Sequence, residues 1–172
     1  MALIRPKNLP ANSLDLSANF AFTGAVTGAG NVLQVQEYQA HAAYMEVSTD
    51  TFTATNMTVT ITPKFTTSKI ILHGSWGYWL TTDSNNYCVA TIYKGSTNLA
   101  AGAGSYNALS WHGPMRNSGY NNHATIDHIN SPNTTSATTY TIYVRPLVAA
   151  TSSLRVQWSS QQSFLSATEI KA

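Results

Sequence analysis

The chain has 172 residues and a net charge of +2 without a basic run, which fits one domain with an appended segment and argues against a phosphate-tracking nucleic-acid groove. Only 9% of the residues are charged, against about 25% in ordinary soluble domains, so Thr, Ser and Asn supply most of the polar surface. Since Thr favours strands and none of the three is a strong helix former, the composition predicts an all-β protein.

Residues 1–30 predict an extended arm that precedes a compact domain over residues 31–172. The stretch NFAFTGAVTGAG in the arm is rich in glycine. It lacks the Lys of a P-loop, and strand-like residues stand where a dinucleotide fingerprint needs a helix. The opening MALIRPKNLP lacks the pattern of a signal peptide, and no window approaches the roughly 18 apolar residues of a membrane helix. We therefore expect no cofactor and no insertion into a membrane.

The first half of the compact domain alternates apolar and polar residues with a period of two, which is typical of half-buried strands. Residues 32–47 fit this alternation and are predicted as strand. The segments MTVTITP and SKIILHGSWGYWL follow as two further strands. The apolar side chains predicted to share a face in these two strands are Met57, Val59 and Ile61 in the first and Ile70, Leu72, Trp76, Tyr78 and Leu80 in the second.

The second half repeats the pattern. NYCVATIYKGSTNLA predicts a hairpin with its turn at residues 94–97, and TTYTIYVRP, SLRVQWSS and SFLSATEIKA predict the closing strands. Residues 100–124 predict mostly exposed loop around a short strand in YNALSWH, and long loops on β scaffolds often carry function. About eight strands joined by turns predict an antiparallel β-sandwich of the jelly-roll type.

No residues of the chain form a recognisable catalytic motif. The closest candidate carboxylate pair, Glu46 and Asp50, is more simply explained as two solvated turn residues. A GxSxG nucleophile elbow is missing from the sequence. Cys88 is the single cysteine, and its strand-like neighbours predict a small buried hydrophobe. We therefore expect a protein that is not an enzyme.

The five histidines do not predict a metal site within one chain. His123 and His128 are five positions apart and would face opposite sides of a strand. His73 is predicted on an outward face, where its copies could meet a metal on the axis of a threefold oligomer. Ordinary hydrogen-bonding histidines are the simpler interpretation.

Aromatic residues at predicted strand ends and in the long loop indicate glycan recognition. Aromatic faces stack on the C–H faces of sugars, while neighbouring Asn and Asp side chains bond hydroxyl groups. The alternative is that these aromatics belong to the core or to a subunit interface, where Trp and Tyr are also enriched. The candidate glycan-binding residues are Trp79, Tyr87, Trp111, His112, Tyr120 and Asn121.

Outward apolar side chains on the predicted strands indicate an oligomer, because an uncharged face with this much apolar area tends to be covered. The candidate interface residues are Ile71, His73, Tyr93 and Tyr143.

The order of several short segments resembles the C-terminal domain of tail-fibre-like structural proteins of tailed bacteriophages. These segments are GNVLQVQ, VTITPKFTTSKIIL, IYKGSTNL, INSPNTTSATTYTIYVRP and the terminal SATEIKA. The resemblance covers residues 30–172 and is most specific in SKIIL, DHINSPNTTSATTYTIYV and SATEIKA. Residues 76–124 match no pattern of the family.

The resemblance implies a homotrimeric fibre tip in the virion, located in the tail or baseplate or on the capsid surface. It implies that residues 1–30 attach the protein to other virion proteins and that the compact domain binds a host surface glycan. Within the arm, Leu14, Phe20, Phe22 and Val26 are the candidate anchoring residues. A head-decoration or baseplate cement protein without a receptor is the alternative, and a glycan depolymerase that uses Glu46 and Asp50 is the least favoured one.

Overall fold

The computed structural model describes residues 31–41, 44–81, 86–113, 122–149, 153–157 and 162–172. The predicted arm with Leu14, Phe20, Phe22 and Val26 lies outside these residues, as do Tyr120 and Asn121. No helix in the described ranges is long and apolar enough to cross a membrane. Eleven strands are present in them: β1 (Val32–His41), β2 (Met45–Val47), β3 (Thr53–Ile61), β4 (Lys69–Leu80), β5 (Cys88–Lys94), β6 (Thr97–Asn98), β7 (Ser110–His112), β8 (Asn122–Asn130), β9 (Thr138–Pro146), β10 (Leu154–Val156) and β11 (Gln162–Ile170).

The strands form two antiparallel sheets. The six-stranded sheet has the order β1–β11–β4–β10–β2, and β8 pairs with the opposite edge of β4. The five-stranded sheet has the order β3–β9–β5–β6, and β7 also pairs with β5. The predicted antiparallel β-sandwich is therefore confirmed.

Three of the strands are interrupted, so the eleven segments form eight strands of the sandwich. β10 and β11 pair one after the other with the same edge of β4. On their far side, β10 pairs with β2 and β11 pairs with β1. β6 and β7 likewise share one edge of β5. With each interrupted strand counted once, one sheet has the order β8–β4–β11–β1 and the other has the order β7–β5–β9–β3. Except from β5 to β7, which share a sheet, each strand is followed by one in the opposite sheet, as in a jelly roll.

The core lies between the sheets and follows the predicted alternation. Inward residues of β4 and β9, such as Trp76, Tyr140 and Ile142, are fully buried, and the outward neighbours of Tyr140 and Ile142 are half-buried. Gly74 sits where the sheets come close, because an added Cβ would lie 2.6 Å from Cδ1 of Ile142. Cys88 is buried as predicted, and this burial raises the pKa of its thiol to about 12.

One buried carboxylate joins β11 to β1 and to the connection that runs from β3 in one sheet to β4 in the other. Glu169 faces inward on β11 and is 0% exposed. Its Oε1 accepts hydrogen bonds from Oγ of Ser68 at 2.6 Å and from the backbone N–H of Lys64 at 2.7 Å, and its Oε2 accepts one from Nε2 of Gln34 at 2.6 Å. Burial alone raises the pKa of Glu169, but these bonds and one from the backbone of Phe65 outweigh it and lower the pKa below its usual value.

We expect Glu169→Gln to destabilise the domain at neutral pH by about 1–3 kcal/mol, because an amide NH₂ would face donors where an oxygen now accepts. A carboxyl whose pKa is lower in the folded state contributes stability above its unfolded pKa, near 4.5, and loses it as the pH falls. The parent should therefore lose stability below about pH 4.5 more steeply than the variant. Urea unfolding between pH 3 and 7 measures this.

The control is Glu37→Gln, which changes an exposed carboxyl on β1. Its stability should stay close to the parent at every pH. Equal stability of parent and Glu169→Gln at pH 7 would contradict the role given to Glu169.

Candidate functional site

The candidate site lies on the outer face of the five-stranded sheet, under and beside the segment 99–109. This segment connects β6 to β7 and returns to β5, where the N–H of Leu109 donates to the carbonyl of Ala90 at 3.0 Å. Val89 and Thr91 point outward from β5 and are nevertheless 0% exposed. Residues 101–107 are exposed, as predicted, while the rest of the segment packs on the sheet.

Two asparagines hold the segment in place. Oδ1 of Asn98 accepts hydrogen bonds from Oγ1 of Thr91 at 2.6 Å and from the N–H of Ala100 at 2.9 Å, while its Nδ2 donates to the carbonyl of Asn107 at 2.9 Å. Oδ1 of Asn107 accepts from the N–H of Gly102 at 2.9 Å. Asn107 and Gly102 have φ angles of 49° and 83°, a region that Asn and Gly adopt more readily than other residues.

Three aromatic rings cluster at the end of the segment. The ring of Trp111 on β7 lies 4.9 Å from that of Tyr87 and 4.8 Å from that of Tyr106, measured between centroids. Trp111 is 50% exposed and Tyr106 is 39% exposed. We call Tyr87, Tyr106 and Trp111 the Trp111 cluster. A small cavity of about 210 Å³ lies between the cluster and residues 103–105.

A larger groove of about 550 Å³ begins on the other side of Tyr106. We call it the Arg145 groove, after the cation that lines it. The segment 98–107 forms one wall and residues 50–52 form the other, with β5 and β9 below. Its lining residues are Asp50, Thr51, Phe52, Tyr93, Asn98, Ala101, Ser105, Tyr106, Asn107, Arg145 and Leu147.

The structure brings together only part of the glycan-binding set predicted from the sequence. Trp111 and Tyr87 are neighbours in the Trp111 cluster. Trp79 lies on the outer face of the other sheet, with the guanidinium of Arg155 5.2 Å from its ring centroid.

His112, the other predicted residue in the described ranges, points toward the core, with its ring 6.1 Å from those of Trp76 and Tyr78. Burial lowers the pKa of His112, although its Nε2 lies 2.9 Å from the carbonyl oxygen of Thr125. A neutral imidazole that packs between the sheets is consistent with a structural role.

The residues that the sequence did not single out are Tyr106, Phe52 and Arg145. Tyr106 lies inside the long segment whose aromatic residues were considered for glycan recognition, and Arg145 occupies an outward position of β9. Nothing local in the sequence shows that the segments around residues 50, 106 and 145 converge, since they are joined only by the fold.

The predicted interface residues fall on two separate surfaces. Tyr93 and Tyr143 stack on each other on the five-stranded sheet, with ring centroids 3.9 Å apart. Ile71 and His73 lie on the outer face of the six-stranded sheet, where Nδ1 of His73 is 2.5 Å from Oδ1 of Asp127. In the part of the chain that the structure describes, no group of three or more His, Cys, Asp or Glu side chains is placed to hold a metal ion.

The two carboxylates considered for catalysis have different surroundings. Glu46 accepts hydrogen bonds from Ser153 and Tyr44, which lower its pKa, and it forms an ion pair with Arg155. Asp50 lines the Arg145 groove.

Comparisons with known proteins do not assign the chain to a family. No family model and no curated protein matches the chain. One similar solved structure is that of infectious bursal disease virus, Gx strain, with a TM-score of 0.43 and 14% identity. The similarity covers 94% of this chain and 42% of the matched one, so this chain spans less than half of that protein's length. A likeness at this level carries no information on function.

We expect Asn98→Ala to destabilise the domain by about 1–3 kcal/mol, because it leaves the buried hydroxyl of Thr91 without its acceptor. The amides of residues 99–109 should exchange with solvent faster, since the segment loses its central bonds. Hydrogen exchange with peptide-level readout measures this. Asn56→Ala on the exposed side of β3 is the control, and equal protection of residues 99–109 in all three proteins would contradict the prediction.

Proposed function

We propose that this chain is a structural protein of a tailed-bacteriophage virion: a homotrimeric fibre or spike that attaches through residues 1–30 and binds a host surface glycan. The observation that carries the binding role is the Trp111 cluster, a half-exposed indole held by two tyrosine rings beside a cavity. The resemblance of residues 30–172 to tail-fibre-like proteins supports the virion location. Jelly rolls also occur in viral capsid and lectin domains. The fold therefore agrees with a virion location and with glycan binding, but a fold alone does not establish either.

The Trp111 cluster has the physical features that a sugar-binding platform needs. Tyr87 and Tyr106 contact the Trp111 ring and restrict its rotation, so little side-chain entropy is lost when a ligand covers it. The exposed half of the ring offers an apolar face to sugar C–H groups. The charge-poor surroundings of the cluster suit the hydroxyl-rich part of a glycan, and weak binding at each site would be strengthened by display on three subunits.

The trimer is supported by the outer face of the six-stranded sheet. A row across four strands carries Ile129, Ile71, Thr168 and Val35 in register. Ile129 is 60% exposed and Val35 is 52% exposed, an unusual amount of apolar surface for strand residues that face solvent. The same row favours the alternative, a head-decoration or baseplate cement protein without a receptor, because that role also requires contacts between subunits.

We expect Trp111→Ala to weaken glycan binding about tenfold or more, because it removes the largest exposed ring of the cluster. The measurement is binding of the parent and the variant to an array of bacterial surface glycans. Phe65→Ala is the matched control, since Phe65 is a similarly exposed ring on the β3–β4 connection.

Two results would reject the receptor role. One is a parent protein that binds no glycan on the array. The other is binding that persists unchanged in Trp111→Ala, Tyr106→Ala and Tyr87→Ala. Either result would leave the cement-protein alternative.

We expect the double variant Val35→Asp, Ile129→Asp to dissociate the trimer, because each interface would then bury two carboxylates in place of apolar side chains. Sedimentation equilibrium of the parent should give three times the monomer mass, and the variant should give the monomer. Val148→Asp, which changes an exposed apolar residue after β9, should remain trimeric. A parent that is monomeric at micromolar concentration would contradict the proposed assembly.

A further inference from the structure

We propose that the Arg145 groove binds the carboxylate of an acidic sugar, with Arg145 as the residue that contacts it. This inference rests on the proposed function, since it assigns a sugar class to the surface that carries the Trp111 cluster. Tyr106 lines the groove and also belongs to the cluster, so one oligosaccharide can contact both.

The groove has the size and the lining of a small-ligand site. Its volume of about 550 Å³ lies within the usual range for such sites. Three aromatic residues, Phe52, Tyr93 and Tyr106, line it together with six polar or charged side chains. The rings can contact the C–H faces of a sugar, and the polar groups can fix the orientation of its hydroxyl and acid groups.

The side chain of Arg145 is oriented by one ring contact and one hydrogen bond. Its guanidinium carbon lies 5.1 Å from the centroid of the Phe52 ring, and its Nη1 donates to the carbonyl of Pro146 at 3.4 Å. A guanidinium has five N–H donors, and stacking on a ring leaves those at its edge able to contact a carboxylate bidentately. Among the described residues the ion pairs are His73 with Asp127 and Arg155 with Glu46, so neither of them involves Arg145.

Asp50 gives the ligand a direction. It lines the same groove, yet it does not form an ion pair with Arg145 in the structure. A sugar carboxylate would be repelled by Asp50 and attracted by Arg145, whereas sugar hydroxyls can donate to Asp50. The ligand would therefore lie with its acid group at Arg145 and its hydroxyl groups toward Asp50.

The test uses oligosaccharides that contain galacturonic, glucuronic, mannuronic or sialic acid, each paired with its carboxyl-reduced, neutral counterpart. Titration calorimetry on the full chain should find at least one acid that binds about tenfold or more tightly than its counterpart. This preference should shrink as salt rises from 50 to 500 mM. It should disappear in Arg145→Gln and weaken in Arg145→Lys, which keeps the charge but loses the planar pair of donors.

The matched control is Arg155→Gln. Arg155 also stacks on an aromatic ring, but on the opposite sheet, so its loss should leave the preference intact. Circular dichroism and thermal unfolding verify that both Gln variants fold.

The outcomes separate this inference from the proposed function. Equal binding of each acid and its neutral counterpart, still dependent on Trp111, would overturn the assignment of an acidic sugar and keep the glycan-binding role. A preference for acids that survives in Arg145→Gln would overturn the assignment of Arg145. Binding of no sugar in either form would overturn both proposals.

Discussion

Glu169 connects parts of the chain that lie far apart in sequence. Its hydrogen bonds reach Gln34 on β1 and Lys64 and Ser68 on the crossing from β3 to β4. An ionised carboxylate inside a protein costs several kcal/mol unless its oxygens are satisfied, so the ion is tolerated only where these donors meet it. The crossing from one sheet to the other is thereby fixed to the closing strand. β3 pairs with β9, which carries Arg145, so the same bonds help to set the framework of the groove.

Most of the polar contacts around this framework are between neutral groups. On the outer face of β3 and β9, Thr58 lies 3.0 Å from Thr141 and Thr60 lies 2.8 Å from Thr139, each measured between Oγ1 atoms. Only two ion pairs occur among the described residues, and both are at least partly exposed. Neutral pairs of this kind are screened little by salt and do not titrate, so the sheet faces should keep their structure over a wide range of ionic conditions. The few charged side chains are isolated positions on this surface, and Arg145 is one of them.

The sequence predicted what depends on local alternation and missed what depends on distant partners. The inward residues of β3 and β4 were identified because burial repeats every second residue. The break between β1 and β2 was not identified, since residues 32–47 fit one continuous alternation, whereas β10 and β11 lie in two segments that were predicted as separate strands. Glu169 follows Leu165 and Ala167 at inward positions, and a carboxylate there was a usable signal, but its donor Ser68 stands 101 positions away. The inward position of His112 could not be predicted, because β7 has only three residues, too few to show a face.

The asparagine contacts of the segment 99–109 have a consequence for how the protein can change over time. The bonds of Asn98 and Asn107 secure the two ends of the segment against β5 and against each other. Residues 103–106 lie between these fixed points and supply contacts to both the cavity and the groove. Substitutions at residues 103, 105 and 106 would alter the lining of both without removing the bonds that hold the segment. The proposed recognition surface could therefore diverge while the fold is conserved.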